Sequence, residues 1–288
     1  MPELPEVETI KRGLSRKVVN KKIVDIWIEP SFRKKISPPP AKFLQFLKGN
    51  AFKSVERRGK LLIFKVKDGL FMLCHLKMTG QLVYLAKSGQ TVASVPDENA
   101  AGRNNRFNRV KFNFSDGAKL YFNDLRKFGY FKIVDKEKLN KETDKYGIEP
   151  FDPKFTFEYF NNILKKKTNQ KIKIVLTDQS LIAGIGNIYA DESCFAAKIK
   201  PMRIVKSLSL KERKDLFAEI KKVLEKAIKF EGTSVNTYVN SKGAVGQFRK
   251  FLKVYHRVHE KCLRCKKGII AKVKIGGRGT SYCPNCQK

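Results

Sequence analysis

Two groups of residues at opposite ends of the chain have types and spacings that suit chemistry. Cys262 and Cys265 form one CxxC pair, and Cys283 and Cys286 form a second pair after an interval of seventeen residues. Four soft thiolates satisfy the tetrahedral coordination of a structural zinc ion and leave no open position for a catalytic water. We therefore predict one structural Zn²⁺ bound by these four cysteines.

The second group is the N-terminal segment Pro2-Glu3-Leu4-Pro5-Glu6. Removal of Met1 would make Pro2 a secondary amine with a pKa near ~7.7–8.0, the range of an α-amino group. A neutral amine can attack an electrophilic sugar carbon and form an iminium, as Schiff-base lysines do. Glu3 and Glu6 could then move protons and orient the amine. The alternative interpretation is that the segment is only the acidic start of a helix.

Composition narrows the class of partner. The 288 residues include 61 Lys and Arg against 27 Asp and Glu, a formal net charge of +34 that predicts a polyanionic partner. No run approaches the ~20 apolar residues of a membrane-spanning helix, and the N-terminus lacks a signal-peptide pattern. We expect a cytoplasmic, nucleoid-associated monomer in which Cys74 and Cys194 are buried free thiols.

Hydrophobic periodicity divides the chain into two kinds of structure. Apolar residues recur at helical spacing after Pro5, and apolar runs separated by Asp68-Gly69 and Asp116-Gly117 then predict antiparallel hairpins. The charged stretch that ends in Glu149-Pro150-Phe151-Asp152-Pro153 is typical of a linker. Beyond the linker, apolar residues recur at the longer, helical spacing, which predicts helices. Short strands are predicted around the cysteines. These patterns favour an α+β chain.

Several motifs carry a family resemblance. Met1–Thr9 and the C-terminal cysteine motif closely resemble the formamidopyrimidine-DNA glycosylase and endonuclease VIII family. Leu4 favours the formamidopyrimidine branch, because the endonuclease VIII branch typically has glycine at that position. The other motifs that carry the resemblance are Arg58–Leu62, His75–Gly80, Asp124–Gly129, Gly184–Glu192 and Gly277–Gln287.

The resemblance implies a domain organisation. It predicts an N-terminal antiparallel β-sandwich with flanking helices as the catalytic domain, at 1–134, and an interdomain linker at 135–153. A helical, DNA-binding helix-two-turn-helix domain is expected at 154–254. A four-cysteine zinc finger with a β-hairpin is expected at 255–288.

It also implies a reaction. The expected activity is that of a bifunctional DNA glycosylase and abasic-site lyase, which flips out oxidised purines such as 8-oxoguanine and formamidopyrimidines and nicks the strand by β,δ-elimination. Pro2 would be the nucleophile, Glu3 the acid/base and Glu6 a supporting carboxylate. Lys60 would contact phosphate and the lesion site, although a solvated turn lysine is the alternative.

The resemblance further implies a set of contacts to double-stranded DNA. Met78, Arg126 and Phe128 would fill the space left by the flipped nucleotide, although Met78 and Phe128 could instead be core residues and Arg126 a surface charge. The other implied DNA contacts are His75, Lys173, Asn187, Tyr255 and Arg278.

The chain departs from the family pattern in two places. His256-Arg257-Val258-His259 stands where Gly-Arg-x-Gly is usual, and Arg249 stands where glutamine often follows phenylalanine. His259 could compete as a zinc ligand, but four cysteines suffice. The glycine-bearing loop at 240–248, in the region that covers the everted base in relatives, does not define the lesion preference.

Two alternative functions share some of these features. A zinc-ribbon protein that binds nucleic acid, for example ribosomal RNA, would have the charge and the cysteines but would not need a free Pro2. A binding-only relative would recognise lesions without cutting DNA, and Pro2, Glu3 and Lys60 argue against it.

Overall fold

The computed structural model describes residues 1–87, 106–235 and 237–288. The chain forms two compact units. The first contains Met1–Asp144 and Phe230–Gln247, and the second contains Lys145–Lys229 and Phe248–Lys288. Residues 230–247 therefore lie in the first unit, whereas the sequence places them in the helical domain. The predicted linker at 135–153 begins with the end of a strand and a helix.

The first unit is an antiparallel β-sandwich with flanking helices, as predicted. Its helices are α1 (Leu4–Ser15), α2 (Pro40–Leu47), α3 (Lys136–Thr143) and the 3₁₀ helix Pro30–Lys35. Its strands are β1 (Ile23–Ile28), β2 (Ile36–Ser37), β3 (Ser54–Arg58), β4 (Leu61–Lys67), β5 (Leu70–His75), β6 (Gly80–Leu85), β7 (Asn108–Phe114), β8 (Lys119–Asp124) and β9 (Tyr130–Asp135).

Two sheets form the sandwich. One has the strand order β1-β7-β8-β6 and the other the order β2-β9-β5-β4-β3. Neighbouring strands are antiparallel except for the short parallel pair β2 and β9. The hairpins predicted from Asp68-Gly69 and Asp116-Gly117 are confirmed, because β4 pairs with β5 and β7 pairs with β8.

Aromatic side chains from both sheets form the core of the sandwich. Phe131 of β9 packs edge-on against Phe112 and Phe122 of the opposite sheet, with ring centroids 5.9 and 4.9 Å apart. Each such pair adds roughly 0.5–1.5 kcal/mol beyond the area that it buries. Cys74 lies in this core as a buried free thiol, as expected, and Cys194 is buried and free in the second unit.

The second unit is helical and ends in a β-hairpin. Its helices are α4 (Phe157–Lys166), α5 (Ile172–Thr177), α6 (Asn187–Ala196), α7 (Leu210–Lys229) and the 3₁₀ helices Val205–Ser207 and Phe248–Phe251. Its strands are β10 (Ala271–Ile275) and β11 (Arg278–Tyr282), joined by Gly276 and Gly277. Both glycines have positive φ angles, 55° and 76°, which this two-residue turn requires.

The fold class is therefore the predicted α+β class. Within the described parts of the chain, no helix combines the length and the apolar character needed to cross a membrane.

Candidate active site and nucleic-acid interface

Pro2 and Glu3 lie buried at the start of α1. Glu3 is the N-cap residue and forms a capping box with Glu6, whose Oε2 accepts a hydrogen bond from the Glu3 backbone N–H at 2.8 Å. The capping box fixes the backbone on which Pro2 sits, because it satisfies amides that have no partner within the helix. The predicted nucleophile and both predicted carboxylates thus share one turn of chain. Met1 is exposed at the surface.

A distant segment holds Glu6 in place. Oε1 of Glu6 accepts the Thr233 backbone N–H at 2.8 Å. A Cβ atom at Gly232, where φ is +82°, would lie 2.8 Å from the same oxygen, so only glycine permits this approach. Sequence reasoning missed Gly232 and Thr233, because no local pattern links residues 227 positions apart.

The predicted Lys60 and His75 both belong to the five-stranded sheet, Lys60 in a turn and His75 at the end of a strand. Helix α1 packs on β3 and β4 of this sheet, and Arg57 Nε of β3 bonds Glu8 Oε2 of α1 at 2.9 Å. Lys60 follows in the β3–β4 turn and is only 5% exposed. It is therefore not the solvated turn lysine of the alternative interpretation.

His75 ends β5 and is buried. Burial, followed by the positive charges of Lys77 and Lys60, lowers the pKa of His75 to about 3. The ring is therefore neutral near neutral pH. Its Nδ1 accepts the Lys77 backbone N–H at 3.0 Å, which leaves the proton on Nε2. The side chain can donate one hydrogen bond but carries no charge.

Met78 and Phe128 are exposed, 39% and 45% respectively, and neither is a core residue. The Arg126 guanidinium lies over the Phe128 ring at 4.5 Å. Asp124, which begins a motif noted from the sequence but was assigned no role, fixes both loops. Its carboxylate accepts the Thr79 hydroxyl beside Met78, the Arg126 backbone N–H at 3.2 Å and the Gly129 backbone N–H at 2.8 Å.

The predicted phosphate contact Lys173 has a different environment in the second unit. Its side chain is buried, with the residue 1% exposed. Nζ lies 2.6 Å from Asp191 Oδ1 and donates to the Thr280 hydroxyl at 2.7 Å. These contacts join α5, α6 and β11. This buried ion pair argues against the direct phosphate contact that the resemblance implies for Lys173.

Asn187, Tyr255 and Arg278 lie at or near the surface of the second unit. Asn187 is the first residue of α6, after the N-cap Gly186, rather than the cap that its residue type favours. Its Nδ2 donates to the Gly279 carbonyl at 2.9 Å. The turn before it is tight because Gly184 has φ +95° and donates to Gln179 Oε1 at 3.0 Å.

Glu192 of α6 supports the segment that carries Tyr255. Its buried carboxylate accepts the backbone N–H groups of Lys253, Val254 and Tyr255 at 2.8–3.1 Å. Burial raises the pKa of Glu192 despite these hydrogen bonds. Glu192 lies inside a motif noted from the sequence, but its residue type alone did not indicate this role.

The four predicted cysteines form the metal site. Their Sγ atoms all lie within 4.8 Å of one another. Gly268 leaves room for the cluster, because a Cβ there would lie 2.7 Å from the Cys283 Sγ. The all-thiolate donor set fits a structural zinc ion. Among the residues with described positions, His259 is not part of any such cluster.

Residues 256–259, which depart from the usual family pattern, have an unusual backbone conformation. His256 and His259 have φ angles of +60° and +70°, in the left-handed region. Glycine enters this region without the steric cost that a Cβ introduces. The usual Gly-Arg-x-Gly pattern therefore matches the backbone, and this chain places two histidines in a strained conformation.

Family models match three parts of the chain. The formamidopyrimidine-DNA glycosylase N-terminal domain matches residues 1–131, and the formamidopyrimidine-DNA glycosylase H2TH domain matches residues 146–239. The zinc finger found in FPG and IleRS matches residues 260–288.

Whole-chain relatives agree with these models. The formamidopyrimidine-DNA glycosylases of Listeria monocytogenes (serotype 4b, strain F2365) and Cytobacillus firmus are each 39% identical and match across 100% of both chains. The solved complex of Lactococcus lactis Fpg with abasic-site DNA has a TM-score of 0.86 at 34% identity and covers 99% of both chains. MutM with DNA containing carbocyclic 8-oxo-G gives 0.85 at 34% identity over 100% of both chains.

The buried N-terminal proline with its two carboxylates, the sandwich, the helical unit and the four-cysteine site thus occur together in one chain that aligns throughout with these relatives. The chain belongs to the formamidopyrimidine-DNA glycosylase family.

Proposed function

We propose that this chain is a bifunctional DNA glycosylase and abasic-site lyase of base excision repair that acts on oxidised purines, 8-oxoguanine and formamidopyrimidines. The observation that supports the proposal is the capping-box turn, in which the buried Pro2 directly precedes Glu3 and Glu6 follows one helical turn later. An N-terminal amine needs a fixed position and a nearby proton carrier to form and resolve an iminium.

The first step displaces the damaged base. After removal of Met1, the neutral amine of Pro2 attacks C1′ of the everted nucleotide, and the bond between C1′ and the base breaks. The base leaves with the bonding electrons and takes up a proton. Glu3 protonates the ring oxygen as the sugar opens, and the nitrogen lone pair forms the C1′ iminium.

Two eliminations then cut the strand. Loss of a C2′ proton from the iminium expels the 3′ phosphate, and a second proton loss expels the 5′ phosphate. Hydrolysis of the remaining iminium restores the amine of Pro2. Glu6 acts as a positioning residue, because both of its carboxylate oxygens are engaged by the backbone of Glu3 and Thr233.

Other residues of the first unit bind the substrate in this proposal. Lys60 and His75 contact phosphates near the lesion, and the neutral His75 donates from Nε2. Met78, Arg126 and Phe128 fill the vacated stack. The exposure of Met78 and Phe128 supports this role, because an apolar side chain must be accessible to replace a base.

The second unit supplies phosphate contacts through Asn187, Tyr255 and Arg278. Arg278 lies at the end of the hairpin turn, and its planar guanidinium suits bidentate phosphate binding. Lys173 positions the hairpin through Asp191 and Thr280. The four cysteines hold the zinc ion that keeps this hairpin folded.

Relatives support the choice of substrate. The solved structures similar to this chain include Lactococcus lactis Fpg with abasic-site DNA, a mutant of that protein with Fapy-dG-containing DNA, and MutM with carbocyclic 8-oxo-G DNA. We infer the same substrate class here: double-stranded DNA with an oxidised purine or an abasic site. Such a substrate places the protein at the nucleoid in the cytoplasm, where it would act as a monomer.

The test is chemical trapping of the iminium. The protein is incubated with a duplex that contains 8-oxoguanine opposite cytosine, borohydride is added, and the adduct is mapped by mass spectrometry. We expect a covalent adduct at Pro2 with damaged DNA and none with an undamaged duplex of the same sequence.

Two other results would each favour one of the alternative functions. Binding of lesion DNA without any adduct, with Met1 shown to be absent and an abasic-site duplex also tested, would favour the binding-only relative. Retained Met1 with equal affinity for damaged and undamaged nucleic acid would favour the zinc-ribbon binding protein.

A further inference from the structure

A cavity of about 430 Å³ opens on the second unit beside two of the proposed phosphate contacts. Asn187 and Tyr255 line it together with His256, Lys272 and Gly279. His256 and Lys272 have no role in the reaction proposed above. Among the described residues that line the cavity, none is acidic.

The carboxylates beneath this cavity are already occupied. Glu192 accepts three backbone amides that include the N–H of Tyr255. Asp191 accepts the Ser281 backbone N–H at 2.9 Å and pairs with Lys173 at 2.6 Å. Both carboxylates are buried. They therefore do not compete with an anionic ligand for the cationic side chains at the mouth of the cavity.

The side chain of Lys272 lies close to Gly279. A Cβ at position 279 would lie 2.8 Å from Lys272 Cε and 3.6 Å from its Nζ. The Lys272 ammonium therefore lies near Gly279 on the neighbouring strand. The Gly279 carbonyl accepts Asn187 Nδ2 at 2.9 Å, so Lys272 and Asn187 both adjoin Gly279 at the wall of the same cavity.

His256 reaches the same cavity from an unfavourable backbone. Its φ of +60° is a conformation that glycine adopts more readily than histidine does. The position nevertheless carries an imidazole, which is exposed and follows Tyr255 in the chain. Strained residues of this kind concentrate where a side chain serves a function. An imidazole and an ammonium around one cavity provide donors for an anion with several oxygens.

We propose that His256 and Lys272 bind a non-bridging oxygen of the DNA backbone, next to the phosphate contacts of Asn187 and Tyr255. This inference rests on the proposed function and adds two contacts to it. His256 replaces a usual glycine of the family pattern, so its contact distinguishes this chain from relatives that keep that pattern.

The experiment compares matched glycine variants. H256G and H259G each remove a histidine at positive φ, but only His256 lines the cavity. Affinity for a duplex with a stable abasic-site analogue is measured against salt concentration. We expect H256G to bind roughly threefold to tenfold more weakly than the wild type, and H259G to bind as the wild type does.

The lysine is tested in the same way. K272Q should reduce the magnitude of the slope of log K against log salt by about 0.9, the value for one lost phosphate contact. K206Q, which removes an exposed lysine that does not line the cavity, controls for the loss of one charge. H256N should lie between the wild type and H256G, because asparagine tolerates positive φ and keeps a donor.

Thermal midpoints distinguish binding from folding. Both glycine variants should melt at or above the wild-type temperature, since each relieves the same strain. Equal affinities of H256G and H259G, or equal salt slopes of K272Q and K206Q, would overturn the inference. A wild-type protein that does not bind the abasic duplex would instead overturn the proposed function, and the inference with it.

Discussion

The first and second units both bury carboxylates, but they use them differently. At the start of α1, Glu3 and Glu6 lie beside Pro2, and Glu6 bonds the backbone of Glu3 and Thr233. In α6, Glu192 bonds three consecutive amides, and Asp191 pairs with Lys173. Glu3 and Glu6 belong to the same turn of chain as the proposed nucleophile Pro2. Asp191 and Glu192 instead hold a strand and a backbone segment of the second unit.

The difference indicates how each unit does its work. A covalent reaction needs a proton carrier at a fixed place, so polar groups are buried at the reaction site itself. A phosphate contact needs exposed cations on a rigid support, and the buried carboxylates of the second unit hold the backbone around residues that we propose for such contacts. Substitutions in each unit, with matched controls, test this division.

The largest effect is expected from E3Q. Glutamine keeps the shape of the side chain but removes its acid/base function, so base excision should slow by ~10²–10⁴-fold, the usual contribution of general acid–base catalysis. Single-turnover excision of 8-oxoguanine measures it. Affinity for abasic-site DNA should change little.

E8Q is the matched control on the same helix. Glu8 is ion-paired with Arg12 and Arg57, at 2.7 and 2.9 Å. Burial opposes its ionisation, but these partners outweigh burial and lower the pKa of Glu8. We expect E8Q to lose stability while it keeps most of its excision activity. Equal losses of activity in E3Q and E8Q would contradict a catalytic role for Glu3.

A moderate effect is expected from E192Q. In E192Q, the side-chain NH₂ would face a backbone N–H that donates to the carboxylate in the wild type. Two donors would then point at each other, and at least one buried donor would lack an acceptor. The free energy of unfolding should fall by roughly 1–3 kcal/mol, measured by denaturant titration. DNA affinity should fall as well, because the 253–255 segment that carries Tyr255 is held less firmly.

E225Q on α7 is the control, since Glu225 is exposed. It should leave both stability and DNA affinity near the wild-type values. If E192Q lowered neither quantity, the buried carboxylates of the second unit would not be the support that the comparison assigns to them.

The smallest effect concerns His75 and pH. Burial and the charges of Lys77 and Lys60 lower its folded pKa to about 3, below the ordinary value of 6.5. The unfolded chain therefore binds the proton more readily, and stability is lost as the pH falls below about 6.5. This residue adds a slope of at most about 1.4 kcal/mol per pH unit.

Denaturant unfolding between about pH 7 and about pH 5 measures this slope. H75Q should flatten it, whereas H259G, which removes an exposed histidine, should leave it unchanged. An identical slope in wild type and H75Q would show that other groups cause the loss of stability in acid.

Much of the fold could be predicted because its signals are local. The Asp-Gly turns, the period of α7 and the two CxxC pairs each lie within a short stretch of chain, where residue type and spacing act directly. The candidate site was harder to predict. Lys173 was interpreted as a phosphate contact, but Asp191, eighteen positions later, holds it in a buried ion pair.

The amino-acid sequence alone fixes the chemical groups of the candidate site and their neighbours along the chain. Peptide bonds join Pro2 to Glu3, and Glu6 follows one helical turn later, so the amine and both carboxylates are close in any helix that starts there. The cysteine spacing likewise determined the metal and its ligands. Because peptide bonds or short loops connect the residues within each group, these side chains have few other possible arrangements.

Which backbone segments support these groups became visible in the tertiary structure. Residues 230–247 return to the first unit, where Thr233 reaches Glu6, and the 253–255 segment bonds Glu192. The tertiary structure also places His256 at positive φ beside a cavity. These contacts join distant parts of the chain, and their geometry depends on packing that no local periodicity encodes.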